Sequence, residues 1–163
     1  MKRTQTLFAV FLLLVCMTGM SFAHEKITAS FIKAFKNGDV VGMSKHFAEE
    51  VSFIGDPKFI GRQAGLDGPV VLSKKDLVES YTKLFKLVGH ESWLKHTAKA
   101  QPTVVVSKDG SELKWGVKKG DVICDMHFRE ANKGKRNGLD EAVIFVFRKT
   151  GDTYKVTFHL ADY

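Results

Sequence analysis

The sequence predicts an α+β domain in which helices come first and a sheet is assembled from the later part of the chain. Three observations carry this. Apolar residues recur at helical spacing between Ile27 and Phe35, and again between Leu77 and Val88. From Thr103 onward the pattern changes to short runs rich in β-branched and aromatic residues, separated by turn signals at Lys108-Asp109-Gly110 and Thr150-Gly151-Asp152.

Taken in order, the chain opens with Lys2-Arg3, an apolar run from Leu7 to Val15, and Ser21-Phe22-Ala23, where small residues suit a signal peptidase. Residues 1–23 are expected to be a cleaved secretory signal, its apolar run too short for a comfortable membrane span. One domain, 24–163, is expected in the periplasm or outside the cell, with no transmembrane segment in the mature chain. Cys16 opens a lipoprotein reading, against which stands the bulk of Val15. Cys124 is then the one cysteine left, which excludes an intramolecular disulfide and predicts a buried, inert thiol.

In the first helix Ile27, Phe31, Ala34 and Phe35 line one side, while Lys26, Lys33 and Lys36 stay in water. Asn37-Gly38 ends it, and Asp39 can cap the next. A second helix is expected to carry Val40, Met43 and Phe47 and to close at Glu49-Glu50. A strand over Val51-Ser52-Phe53-Ile54 follows, stopping at Gly55-Asp56-Pro57. Lys58 to Leu72 reads as a glycine-punctuated loop holding Arg62, Gln63 and Asp67. Ser73 and Asp76 form a capping signature for a third helix with Leu77, Tyr81, Leu84, Phe85 and Val88 on one face. His90 to Ala98, with Trp93, can prolong the helical region. Four strands are expected: Thr103 to Val106, Asp121 to Arg129, Glu141 to Lys149, and Thr153 to Leu160. Alternation on the last strand puts Tyr154, Val156, Phe158 and Leu160 on one face and Lys155, Thr157 and His159 on the other.

The formal net charge is +7, and removal of Lys2 and Arg3 lowers it to +5. That charge is spread over lysine-rich faces without an arginine stripe or interleaved aromatics, so nucleic acid is not an expected partner. The densest basic segment, Lys133 to Gly138, reads as a solvated hairpin loop or a contact for an anionic surface. No HxH, HxxxH or CxxC spacing appears, and no glycine-rich phosphate loop, serine elbow or activated cysteine. Neither a metal nor a cofactor is expected.

Three features taken together resemble the NTF2-like superfamily, in its SnoaL-like and ketosteroid-isomerase-like branch. They are a first helix ending Phe35-Lys36-Asn37-Gly38-Asp39, the segment His46-Phe47-Ala48-Glu49-Glu50, and a strand ending Asp56-Pro57. The resemblance implies a cone: three N-terminal helices packed in a curved, mostly antiparallel sheet, around an apolar pocket. Phe31, Phe53, Tyr81, Phe85, Trp93, Met126 and Phe128 would line that pocket. It also implies a homodimer through the outer sheet face.

Ketosteroid isomerases use a carboxylate base with an oxyanion hole of a tyrosine and a protonated aspartic acid. Here the tyrosine position is Phe31, and the acid falls in Ala142-Val143-Ile144, which offers no donor. Only Asp56 matches the base, after a one-residue shift. A different constellation pairs Asp125 with His127 on one strand face, joined by His159 if the strands register suitably, an arrangement suited to general base work. Against it, Val122, Cys124, Met126 and Phe128 on the opposite face look like the pocket wall. Two functions therefore stand open. One is a non-catalytic binding or interaction module, whose cone holds a small apolar ligand or is filled by its own Phe and Trp side chains. The other is a small-molecule lyase, isomerase or hydrolase using Asp56, or Asp125 and His127, as acid and base.

Overall fold

In the computed structural model the described residues are 23–55, 68–98, 100–111, 116–128 and 141–162. The predicted signal segment up to residue 22, Asp56, the loop residues Arg62, Gln63 and Asp67, and the basic segment 133–138 lie outside them. Helix α1 spans residues 23–36. It is followed by α2 (Val40–Ser44), β1 (Phe47–Gly55), β2 (Val70–Ser73), α3 (Lys74–Val88), α4 (His90–Thr97), β3 (Gln101–Val106), β4 (Val122–Phe128), β5 (Glu141–Thr150) and β6 (Thr153–Asp162).

Local chemistry explains the helix boundaries. Asp39 caps α2, its Oδ1 accepting from the Gly42 amide at 2.8 Å. Ser73 and Asp76 close a reciprocal capping box at the start of α3, each side chain accepting from the other's backbone N–H at 3.1 Å. Two expectations give way here. Phe47 lies in β1 and not in α2, because Lys45-His46 is a turn and the His46 carbonyl accepts from the Val156 amide at 2.7 Å. That bond docks the chain on β6 before a longer helix can form. Val70 to Leu72 likewise pairs with β1, Val51 opposite Leu72, although four residues are too few to show a period of their own.

The six strands form one sheet in the order β2-β1-β6-β5-β4-β3. Every neighbouring pair is antiparallel except β1 with β6. All the helices pack on one face. Phe31, Phe35, Met43, Leu77, Tyr81 and Trp93 meet Val51, Phe53, Cys124, Met126, Val143, Phe145 and Phe147 in the main core. The sheet is curved around them and unclosed, the NTF2-like cone that the resemblance implied.

The opposite face carries a smaller apolar cluster of Ile123, Val146 and Phe158, with Val117 packed on it. A buried carboxylate ties the β3–β4 connection to this face. Asp121, 3% exposed, receives Arg148 Nε at 3.0 Å and Nη2 at 2.7 Å, while its Oδ2 also accepts from the Lys118 amide. Arg148 Nη2 reaches the Gly116 carbonyl as well. Removing one member of a buried, hydrogen-bonded charge pair strands the other. Asp121→Ala is therefore expected to cost roughly 2–3 kcal/mol in urea unfolding. Glu79→Ala, which breaks only the exposed 3.9 Å pair with Lys75, should cost roughly 0.5 kcal/mol or less. Equal costs would contradict this assignment.

Candidate functional site

The centre of the cone is built by a break in the last strand. Between β5 and β6 the register runs Phe147 opposite Val156 and then Val146 opposite Phe158, so Thr157 is an extra residue with no partner across the ladder. Such a bulge exchanges the two faces of the strand beyond it. Tyr154 and Val156 enter the main core, Phe158 passes to the outer cluster, and His159 and Ala161 turn inward. The alternation expected for β6 holds up to Val156 and is reversed after it, which corrects the placement of Phe158, His159 and Leu160.

His159 is wholly buried. Its ring stacks on Phe145 at 4.2 Å with an interplanar angle of 7°, and the Phe53 ring stands edge-on at 5.2 Å. Nδ1 lies 3.1 Å from the Ile144 carbonyl, and Nε2 lies 2.7 Å from the Tyr81 hydroxyl. A carbonyl can only accept, so Nδ1 carries the proton; Nε2 is then the acceptor and Tyr81 O–H the donor. Burial pushes the imidazole down to about 3, with the bond to Ile144 opposing the shift. His159 is thus neutral at physiological pH.

Aromatic rings fill the space around this pair. Phe31 packs on Phe145 at 4.6 Å and on Phe147 at 5.2 Å. Phe35 lies 5.5 Å from Phe145 and 5.2 Å from Trp93, whose indole N–H donates to the Phe35 carbonyl at 2.8 Å. Tyr81 sits 5.6 Å from Phe85, and Phe85 is 4.6 Å from Trp93.

Of the residues expected to line the pocket, Phe31, Phe53, Tyr81 and Met126 have no exposed surface, and Trp93 has 3%. Phe85 is half-buried and borders an open groove among the helices. The Phe128 and His127 side chains lie outside the described set. Phe31 stands where ketosteroid isomerases carry the tyrosine, and it is packed on four sides by His46, Phe47, Phe145 and Phe147. Val143, in the segment matching the acid, is fully buried opposite Met126 and Ala161.

The constellation of Asp125 with His159 is not assembled. Asp125 lies opposite Ile144 on the Ile123 side of β4, so it is on the outer face, whereas His159 is inside. Cys124 faces inward, and burial, reinforced by the Asp125 charge, pushes its thiol up to about 12, the inert state expected of it. Among the described residues no group of three or more His, Cys, Asp or Glu side chains is placed to hold a metal ion. No helix there is long and apolar enough to cross a membrane. The pair at the centre, Tyr81 with His159, is only half legible in the sequence: the helical spacing puts Tyr81 on the inward face of its helix, but the bulge that supplies its partner has no signature in a period-two reading.

The sign of the pH effect follows from these states. An unfolded His159 binds a proton below about 6.5, while the folded one does not until about 3. Within that window the unfolded chain holds more protons, so this contribution to stability is complete above 6.5 and is lost as the pH falls. The expected slope approaches about 1.4 kcal/mol per pH unit. His46, lowered by burial and then by Lys155 and Lys45, acts in the same direction, so the comparison of wild type with His159→Gln isolates His159. The variant should lose most of that slope; an unchanged slope would contradict the neutral assignment. Tyr81→Phe leaves Nε2 without its donor and should cost about 1–3 kcal/mol at neutral pH in urea unfolding.

No family model matches the sequence, and neither does any curated protein. Among solved structures, the chain is similar to a DUF4783 family protein from Bacteroides uniformis at 14% identity, with 82% of this chain and 94% of that one covered and a TM-score of 0.50. It is also similar to an NTF-2 like protein of unknown function from Shewanella oneidensis, at 10% identity, 85% and 94% coverage and a TM-score of 0.47. A ketosteroid isomerase-like protein from Erwinia carotovora atroseptica aligns at 15% identity, 85% and 91% coverage and a TM-score of 0.44. At such identities the likeness is one of fold alone: helices packed on one face of a curved, unclosed sheet.

Proposed function

We propose that this protein is an exported, non-catalytic NTF2-like module that acts by binding a small ligand or a partner protein. The observation that carries the reading is the content of the cone. Its centre holds a neutral imidazole bonded through both nitrogens and enclosed by Phe53, Phe145 and Tyr81, so those groups serve packing and not proton transfer. A general base needs a titration near the working pH and access to a substrate proton, and His159 has neither. The positions matching the isomerase donors, Phe31 and Val143, are apolar and fully buried. Export rests on the leader-like first 23 residues.

Binding is then a matter of surfaces. The edge strand β3 presents Val104, Val105 and Val106 at 38–47% exposure, an apolar row that suits a second copy or another protein.

The reading is tested in two steps. N-terminal sequencing of protein recovered from its own host should begin at His24; a chain still starting at Met1 would remove export. Incubating the mature protein with a small-molecule extract, followed by mass spectrometry, should show no turnover. Consumption of any compound by the wild type that disappears in the Asp56→Asn/His127→Gln variant would establish the acid–base enzyme instead.

A further inference from the structure

The helical side of the cone holds a groove of about 400 Å³ that is separate from the Tyr81–His159 centre. Val40 and Phe85 supply its apolar surface, and Thr82 also lines it, its hydroxyl already donating to the Val78 carbonyl. Two glycines also border it. Gly38 and Gly89 have φ of 64° and 81°, a backbone that side chains rarely adopt. A Cβ on Gly38 would touch both the Phe85 and Trp93 rings at 3.5 Å, an ordinary contact distance, so the backbone conformation is what calls for glycine there. Around Gly89 a Cβ would meet nothing within 4 Å.

The polar part of the lining is one-sided. Lys86, in the last turn of α3, and His90, at the start of α4, both border the groove, and among the described residues no acidic side chain does. Asp39, between Gly38 and Val40 in sequence, is not among the lining residues, its carboxylate turning to the Gly42 amide. An open apolar groove of this volume bordered by an ammonium and an imidazole is complementary to a small molecule with a hydrocarbon body and one negative end. We infer that this groove binds an amphipathic monocarboxylate, its carboxylate at Lys86 and His90 and its apolar body over Val40 and Phe85. The inference rests on the reading of the protein as a binding module and names the ligand class.

The geometry provides its own reporter. Phe85 touches Trp93 at 4.6 Å, so occupancy of the groove perturbs that indole. The sequence has two tryptophans, and Trp115→Phe leaves Trp93 alone. In that background sodium decanoate, decan-1-ol and decyltrimethylammonium are titrated below their aggregation concentrations, following Trp93 emission and the amide resonances of Gly38, Thr82 and Gly89. Decanoate is expected to bind saturably and most tightly. Lys86→Glu should weaken decanoate about three- to ten-fold and tighten the cationic amphiphile, since exposed ion pairs are individually small. Lys119→Glu, in the β3–β4 connection, should change neither. No saturable response in either readout, equal affinity for all three probes, resonance shifts centred elsewhere, or indifference to Lys86→Glu would each overturn the site. Turnover in the extract assay alongside decanoate binding would remove the non-catalytic reading and leave the groove standing.

Discussion

An imidazole can be held among phenylalanines only if both nitrogens are bonded and the ring stays uncharged. His159 meets both conditions, between the Ile144 carbonyl and the Tyr81 hydroxyl. Neutral hydrogen bonds of this kind contribute only about 1 kcal/mol each in net terms, but an orphaned partner in the same place costs more. The pair is therefore a constraint more than a source of stability. It ties α3 to β6 at one point, and Phe35, Phe47 and Phe85 are packed around Tyr81.

The constraint is imposed by one backbone irregularity. Because Thr157 is extra in the ladder, β6 serves two cores in succession, giving Val156 to the helix-covered face, Phe158 to the outer cluster and His159 back to the cone. A regular strand would expose His159 on the outer face and drive Phe158 into space already held by the ring set. The outer face has its own fastening through Asp121 and Arg148. Both sides of the sheet are thereby closed with different chemistry, rings inside and a buried ion pair outside. A cone filled in this way turns the proposed binding toward the helix-side groove and the β3 edge.

Much of this fold was legible in the residues themselves. The amphipathic run from Ile27 to Phe35, the Asn37-Gly38-Asp39 break, the Ser73 and Asp76 box and the hairpin at Gly151 each specify local structure by short-range chemistry, and each is found. The failures share one cause. Phe47 continues a helical period yet joins a strand because the His46 carbonyl is captured by Val156, a contact 110 residues away. Leu72 pairs with Val51 across a connection that no periodicity announces. His159 was placed on the face of Lys155 and Thr157, opposite Tyr154 and Val156, because period two assumes an unbroken ladder, and the bulge depends on register with β5, not on any residue type. The candidate site suffered most, since Asp125 and His159 were grouped by a register that the sheet does not adopt.

The claim that the cone is closed around a neutral, doubly bonded imidazole is tested most directly by nitrogen-15 NMR of histidine-labelled protein. The account predicts that His159 keeps a protonated Nδ1 and an unprotonated Nε2, with shifts that do not move from neutral pH down to about 5. A ring that titrates near 6.5, or one protonated at Nε2, would show that the centre of the cone is open to solvent or differently bonded, and would contradict it.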